Sequence, residues 1–364
     1  MNFSFNISFN QKVNNSLFFI INKYLICFLP FALITGPFLP EVICFVSICN
    51  FLYFSILNKE WGYYKNIFFF FLIIWSFFLI ISSSFSNNAL LSLESSLFYI
   101  RHGLFAISLW YVIDKDPKII KIFLYALLLA FSILLIDGFI QYLTGKNILG
   151  YPYNPNKARL SSLFGSEWVL GNYLSRLMPL VFALTFFVFP NPKKYLFILC
   201  IFIIALDVLI YISGERVAFF NLLFATFLMI IFLNKFQKFR IITFIVSISI
   251  VILLSFNNER LKYRMIDNSI NQLNIFSENY VADHELFARS SVTMFLDHPI
   301  VGVGPKMYRE LCSEEKYYYT SDLYQSCSTH PHNTYLQLLS ETGSIGFLFI
   351  SFLYFYLFFL LFKN

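Results

Sequence analysis

Two histidines bracket a proline in the run His330-Pro331-His332-Asn333-Thr334-Tyr335, which continues to Glu341-Thr342-Gly343-Ser344-Ile345-Gly346. Imidazole exchanges a proton near neutral pH, so a histidine in such a run is a candidate acid–base group. Proline suits the first turn of a helix, where its missing N–H has no partner, and the run therefore predicts a helix beginning at Pro331. His332 would then lie at the positive helix end, beside free N–H groups that attract anions and keep the ring neutral. A neutral base next to a phosphate-friendly helix end, before the last apolar run of the chain, points to chemistry on a lipid-linked phosphate. Taken alone, His332 could equally be a helix-capping histidine. His330 and His298 read as structural, His298 as the turn residue before Pro299.

Charged residues within or beside apolar runs are the next candidates, because each costs about 3 kcal/mol in a bilayer unless paired or hydrated. Arg101, Asp137, Arg159, Arg176, Asp207, Glu215 and Arg216 are of this kind. With the topology below they converge on the leaflet that faces His332 and predict a water-filled polar cavity. The alternative is a set of structural Arg–Asp pairs and snorkelling side chains. Arginine suits a diphosphate, since its planar fork donates two parallel hydrogen bonds and keeps its charge. Arg159 and Arg216 are the leading candidates and Arg289 the third. Trp168 and the Tyr317–Tyr319 cluster could stack on sugar rings or simply anchor at the interface.

These residues need helices to position them. The 364 residues are 58% hydrophobic and only 13% charged, too apolar for a soluble domain, and runs of about 20 apolar residues recur. The expected fold is an all-α polytopic integral membrane protein of about 10–12 spans. Ten are placed near 17–35, 38–57, 66–84, 96–113, 118–141, 168–189, 195–213, 216–234, 240–256 and 343–362. The alternation of a β-barrel is missing, and no cleavage site follows the first apolar run. Lys59, Lys65, Lys115, Lys118, Lys121, Lys193, Lys194, Lys235, Lys238 and Arg240 fall in loops on one side, while the loop 85–95 has no Lys or Arg. The positive-inside rule then puts both termini in the cytoplasm and 142–167 and 257–342 outside. The chain divides accordingly into a helical block 1–256 with the external loop 142–167, a periplasmic segment 257–342, and a final helix 343–364.

Within 257–342, the stretch 283–297 reads as an amphipathic helix: Leu286, Val292, Phe295 and Leu296 lean one way, Asp283, Glu285 and Arg289 another. It could lie on the membrane and roof a cavity. Asp297-His298-Pro299-Ile300-Val301-Gly302-Val303-Gly304-Pro305 then reads as a turn-rich stop. Cys312 and Cys327 share this segment, and in an oxidising compartment they either form a disulfide or stay free. The net charge of +6 follows the loop bias and forms no nucleic-acid patch. No metal-ligand motif and no Gly-rich phosphate loop is present, so no metal site and no cofactor is expected.

At the level of motifs the chain resembles the bacterial O-antigen ligase and O-antigen polymerase superfamily of polytopic membrane glycosyltransferases. His332-Asn333, nine further residues, then Gly343-Ser344-Ile345-Gly346 fits that family's pattern of His, a polar residue, nine residues and Gly-x-x-Gly. His298-Pro299-Ile300-Val301-Gly302-Val303-Gly304, Arg159-Leu160-Ser161-Ser162-Leu163-Phe164-Gly165 and Ser213-Gly214-Glu215-Arg216 resemble its other external segments. Glu215 departs from the small residue and serine usual there, and Phe220 from the common leucine. The resemblance, which covers roughly 140–362, implies inverting, metal-independent transfer of a glycan from undecaprenyl diphosphate to an acceptor hydroxyl at the periplasmic face of the inner membrane. It implies His332 as the base, Arg159, Arg216, Arg289 and Asn333 as donor-binding residues, and Gly343 and Gly346 as structural. The partners implied are the lipid-linked donor, a lipid A–core or glycan acceptor, and membrane lipids. A ligase, a polymerase and, more distantly, a lipid-linked glycan transporter stay open.

Overall fold

The computed structural model describes residues 16–154, 157–189, 195–232, 237–273, 283–320 and 325–363; Lys193, Lys194 and Lys235 lie outside the described residues. The fold is all-α, and among the described residues β-structure amounts to isolated bridges. The long helices are α1 (Leu17–Ala32), α2 (Phe38–Leu57), α3 (Ile67–Ser84), α4 (Ala89–Lys115) and α5 (Ile119–Thr144). They continue as α6 (Leu170–Val188), α7 (Leu196–Ile212), α8 (Arg216–Phe232), α9 (Gln237–Asn257), α10 (Asp283–Asp297) and α11 (Thr334–Lys363). Seven of these are long and apolar enough to cross a membrane, and α1, α7 and α8 are shorter apolar helices. The chain is a polytopic helical membrane protein: a helix satisfies its own backbone, which lipid cannot do.

Two helix starts and one charge differ from the expectations above. Helix α4 begins at Ala89, because Asn88 Oδ1 accepts the N–H of Leu91 at 3.2 Å, so the loop before it is only 85–88. Helix α11 begins at Thr334, nine residues before the apolar run, and Ser340, Glu341 and Thr342 in that stretch are buried by protein instead of lipid. Pro331 therefore does not open the helix. Arg240, expected among the loop charges, is buried in the first turn of α9 and pairs with Asp207 of α7, Nη1 to Oδ2 2.7 Å. Thr226 and Ser247 complete that network. Asp207 is thus a structural partner in an apolar core, where a lone carboxylate would be costly, and its partners are not the arginines of the external loops.

Packing divides the chain into two compact units assembled from interleaved stretches, whereas the linear blocks follow chain order. The first unit is Met1–Phe51 with Leu109–Asn274, and the second is Leu52–Ser108 with Ile275–Asn364. The first has a core of Leu127, Phe131, Leu134, Leu170, Leu174, Leu209 and neighbours from α5 to α9. In the second, α10 packs on α11. The buried face of α10 is Leu286, Phe287 and Met294, with the small Ser290 and Ser291 between them. Val292 and Leu296, expected on that face, are exposed.

Helix α11 is broken at Gly343, whose φ of 64° and ψ of −165° leave the helical region. The break frees backbone groups on both sides, and the turn 299–304 takes them up. Val303 and Gly304 N–H donate to the carbonyls of Ser340 and Glu341 at 2.9 and 3.0 Å. Ser344 and Ile345 N–H donate to those of Pro299 and Ile300 at 2.8 and 3.2 Å. Gly302 (φ 73°) and Gly343 are forced by this clasp, since a Cβ on either would run into the opposing backbone. Gly346 leaves room for its own Thr342 and for Phe78 of α3. The two glycine motifs of the chain are therefore two sides of one joint.

Candidate active site

In the first unit, α5 carries two buried polar side chains that organise the loop beyond it. Asp137 Oδ1 accepts the N–H of Ile148 at 2.8 Å, and Oδ2 accepts the Ser162 hydroxyl at 2.6 Å. Gln141 Oε1 accepts the N–H groups of Ser161 and Ser162 at 3.1 and 2.7 Å. Ile148, Ser161 and Ser162 are thereby anchored on α5, and Ala158 and Ser162 are held at positive φ (45° and 48°), the kind of strained backbone that persists only when its surroundings over-determine it. Leu160 N–H then donates to Ser213 O at 3.2 Å, and Gly214 (φ 73°) sits so close to Ala158 that a Cβ could not fit. The two arginine-bearing segments thus meet through Ser213-Gly214.

Arg264 is close enough to Arg159, Arg216 and Glu215 for their charges to act on it, and Glu215 and Arg216 act likewise on Arg159. Arg264 comes from the π-turn Tyr263–Asp267, and its Nε donates to Gly214 O at 2.6 Å. Burial, reinforced by the Arg159 and Arg216 charges and opposed by Glu215, pushes Arg264 down to about 10, still cationic at neutral pH. Burial also lowers Arg159, with Glu215 opposing and Arg216 adding to the fall. Lys157 and Arg159 lie over the Trp168 ring at 4.7 and 5.4 Å, so that indole engages cations.

Glu215 does not neutralise this cluster from its middle. Its Oε1 accepts the N–H of Gly171 at 2.6 Å, and its Oε2 accepts the N–H and the side-chain amide of Asn172 at 3.1 and 2.7 Å. These are first-turn donors of α6, whose own N-cap, Val169, has no capping side chain. Glu215 is the missing cap, supplied from another loop. Burial raises it to about 7 despite those donors and Arg159.

The second unit holds the histidines. Asn333 is the N-cap of α11: its Oδ1 accepts the N–H groups of Tyr335 and Leu336 at 3.0 and 3.2 Å. His332 precedes the cap at φ 53°, outside the helix, so the expectation of a histidine within the first turn is corrected by one cap residue and one left-handed turn. Its exposed ring lies 4.3 Å from His330, 5.2 Å from Phe287 and 6.4 Å from His284, centroid to centroid. Ser328 Oγ is 3.3 Å from His332 Nε2. Cys312 and Cys327 are joined in a disulfide that closes the loop leading to Ser328. Arg289, exposed on α10, is held by Glu285 at 2.6 Å. Arg101 donates to Phe98 O at 3.0 Å, and Arg176 is exposed on α6.

The first unit therefore brings Arg159 and Arg216 together, and the second sets His332 with His330. Arg264 and His284 were not singled out above, because neither lies in a recognisable motif and both enter through packing alone. Among the described residues no cluster of His, Cys, Asp and Glu could hold a metal ion.

Residues 196–351 match the family model described as O-antigen ligase. The match runs from the start of α7 into α11 and includes Glu215, Arg216, Arg264, Arg289, His332, Gly343 and Gly346, while Arg159 lies before it. No curated protein and no solved structure matches the chain. Over residues 196–351 the chain is therefore similar to the O-antigen ligase family, and the match supports that superfamily.

Proposed function

We propose that this protein is an O-antigen ligase: a glycosyltransferase that moves a glycan from undecaprenyl diphosphate to a hydroxyl of lipid A–core at the external face of the inner membrane. The carrying observation is the guanidinium cluster of the first unit. Arg159 and Arg216 lie within electrostatic reach of Arg264, and the neighbouring Glu215 carboxylate is already engaged by the N-terminus of α6, an arrangement that favours a diphosphate. The family match supports the reaction class.

In this reading Arg159, Arg216 and Arg264 hold the diphosphate. His332 takes the proton of the acceptor hydroxyl as its oxygen bonds to the anomeric carbon. The bond from that carbon to the phosphate oxygen breaks, its electron pair leaves with the diphosphate, and the guanidinium groups stabilise the developing charge. Attack opposite the leaving group inverts the anomeric centre. The left-handed backbone at His332 supports a functional role, since strain of this kind concentrates at working sites.

The test is transfer by purified protein from a defined undecaprenyl-diphosphate glycan, offered both lipid A–core and a lipid-linked glycan acceptor. Product on lipid A–core is expected; elongation of the lipid-linked chain would instead identify a polymerase. His332→Ala should slow transfer by about 10²–10⁴-fold with donor binding retained. Arg216→Lys should also impair transfer, because lysine lacks the two-pronged contact. Normal turnover in His332→Ala would remove the base from the mechanism.

A further inference from the structure

The second unit contains a cavity of about 390 Å³, inside the range of small-molecule sites (roughly 300–1,000 Å³). Trp75 and Leu79 of α3 line it, with Ser95, Ser96 and Tyr99 of α4 adding polar and aromatic groups. The rest of the lining brings Lys306, Arg309 and His330 together with Gln337 and Glu341 of α11. None of these served the diphosphate reading, and His330 sits directly beside the His332 ring.

Two cations, Lys306 and Arg309, line the cavity with one carboxylate, Glu341. Glu341 is buried, and its oxygens accept the Tyr308 N–H at 3.3 Å and the Gln337 amide at 3.2 Å, so they are turned to the protein. Lys306 Nζ meets Glu94 at 2.8 Å, but Glu94 is 64% exposed, and such a rim pair exchanges for another anion at little cost. Arg309 is exposed at the same opening. The loop that carries both cations is fixed: Ser92 donates to Pro305 O at 2.7 Å and Ser82 to Val301 O at 3.1 Å. Lys306 itself is held at φ 67°, strained backbone for a non-glycine residue.

We infer that this cavity is an acceptor subsite for a sugar bearing an anionic group, a phosphate ester or a carboxylate, held by Lys306 and Arg309 beside the histidines. The inference rests on the transferase reading, and its test does not. Full-length purified protein is titrated with glucose 6-phosphate, glucuronate and glucose. At least one of the two anionic sugars should bind ten-fold or more tightly than glucose, and the stronger one identifies the group. Arg309→Gln should abolish most of that preference, and Lys306→Gln supplies the same reading if the first variant does not fold. His332→Ala should keep it. Glucose binding as tightly as both anionic sugars, or an unchanged preference in a folded Arg309→Gln or Lys306→Gln protein, overturns the subsite. Normal transfer by His332→Ala alongside an intact preference overturns the catalytic reading alone.

Discussion

A carboxyl group that caps a helix from a distant loop is the residue on which the cationic cluster turns. Glu215 is pushed up to about 7 from an ordinary 4.5, chiefly by burial. A carboxyl raised on folding adds stability below its unfolded value and loses it as pH climbs through its folded value. The protein should therefore lose on the order of 3 kcal/mol on this group's account between pH 4.5 and just above 7. In detergent, the wild-type thermal midpoint should fall between about pH 5 and pH 8, whereas Glu215→Gln should flatten that dependence. Superimposable profiles would show that Glu215 does not titrate there. Arg159, Arg216 and His332 stood out in the sequence because their motifs surround them. Arg264 did not, because only the close approach of Gly214 and Ala158 brings it into the cluster.

Helices were legible where lipid dictates them. The ends of α2, α3, α5, α6 and α7 lie within about three residues of the apolar runs, since a span must cover the hydrocarbon core. They were illegible where protein replaces lipid. Residues 334–342 are polar yet helical because the 299–304 turn and α10 cover them. The Asp207–Arg240 pair joins positions 33 apart that only packing brings together. At the clasp, Gly302→Ala must both adopt a left-handed backbone and push into Glu341 and Thr342, so it should destabilise by at least about 1–2 kcal/mol. Asn333→Ala removes a cap and should cost about 1 kcal/mol. Denaturation midpoints rank the two, and a Gly302→Ala protein as stable as wild type would dissolve the clasp.

At the scale of the molecule, each compact unit is stitched from distant stretches, so long connections must be held down. In the second unit the Cys312–Cys327 bridge, 15 residues apart, tethers the segment that leads to Ser328, His330 and His332. Replacing both cysteines with serine should cost about 3 kcal/mol by loop-closure entropy and lower transfer more than donor binding. Equal thermal midpoints with and without reductant would argue against a stabilising bridge. The joint at Gly343 bears on lipid. Bilayer thickness acts on the apolar limb beyond the break, and the 299–304 turn grips that limb through Ser344 and Ile345 as well as the histidine-bearing limb through Ser340 and Glu341. A pull on the lipid anchor is thus passed through one rivet to the working end. Turnover in nanodiscs of short- and long-chain lipids should accordingly differ, and equal rates would show that the rivet transmits nothing.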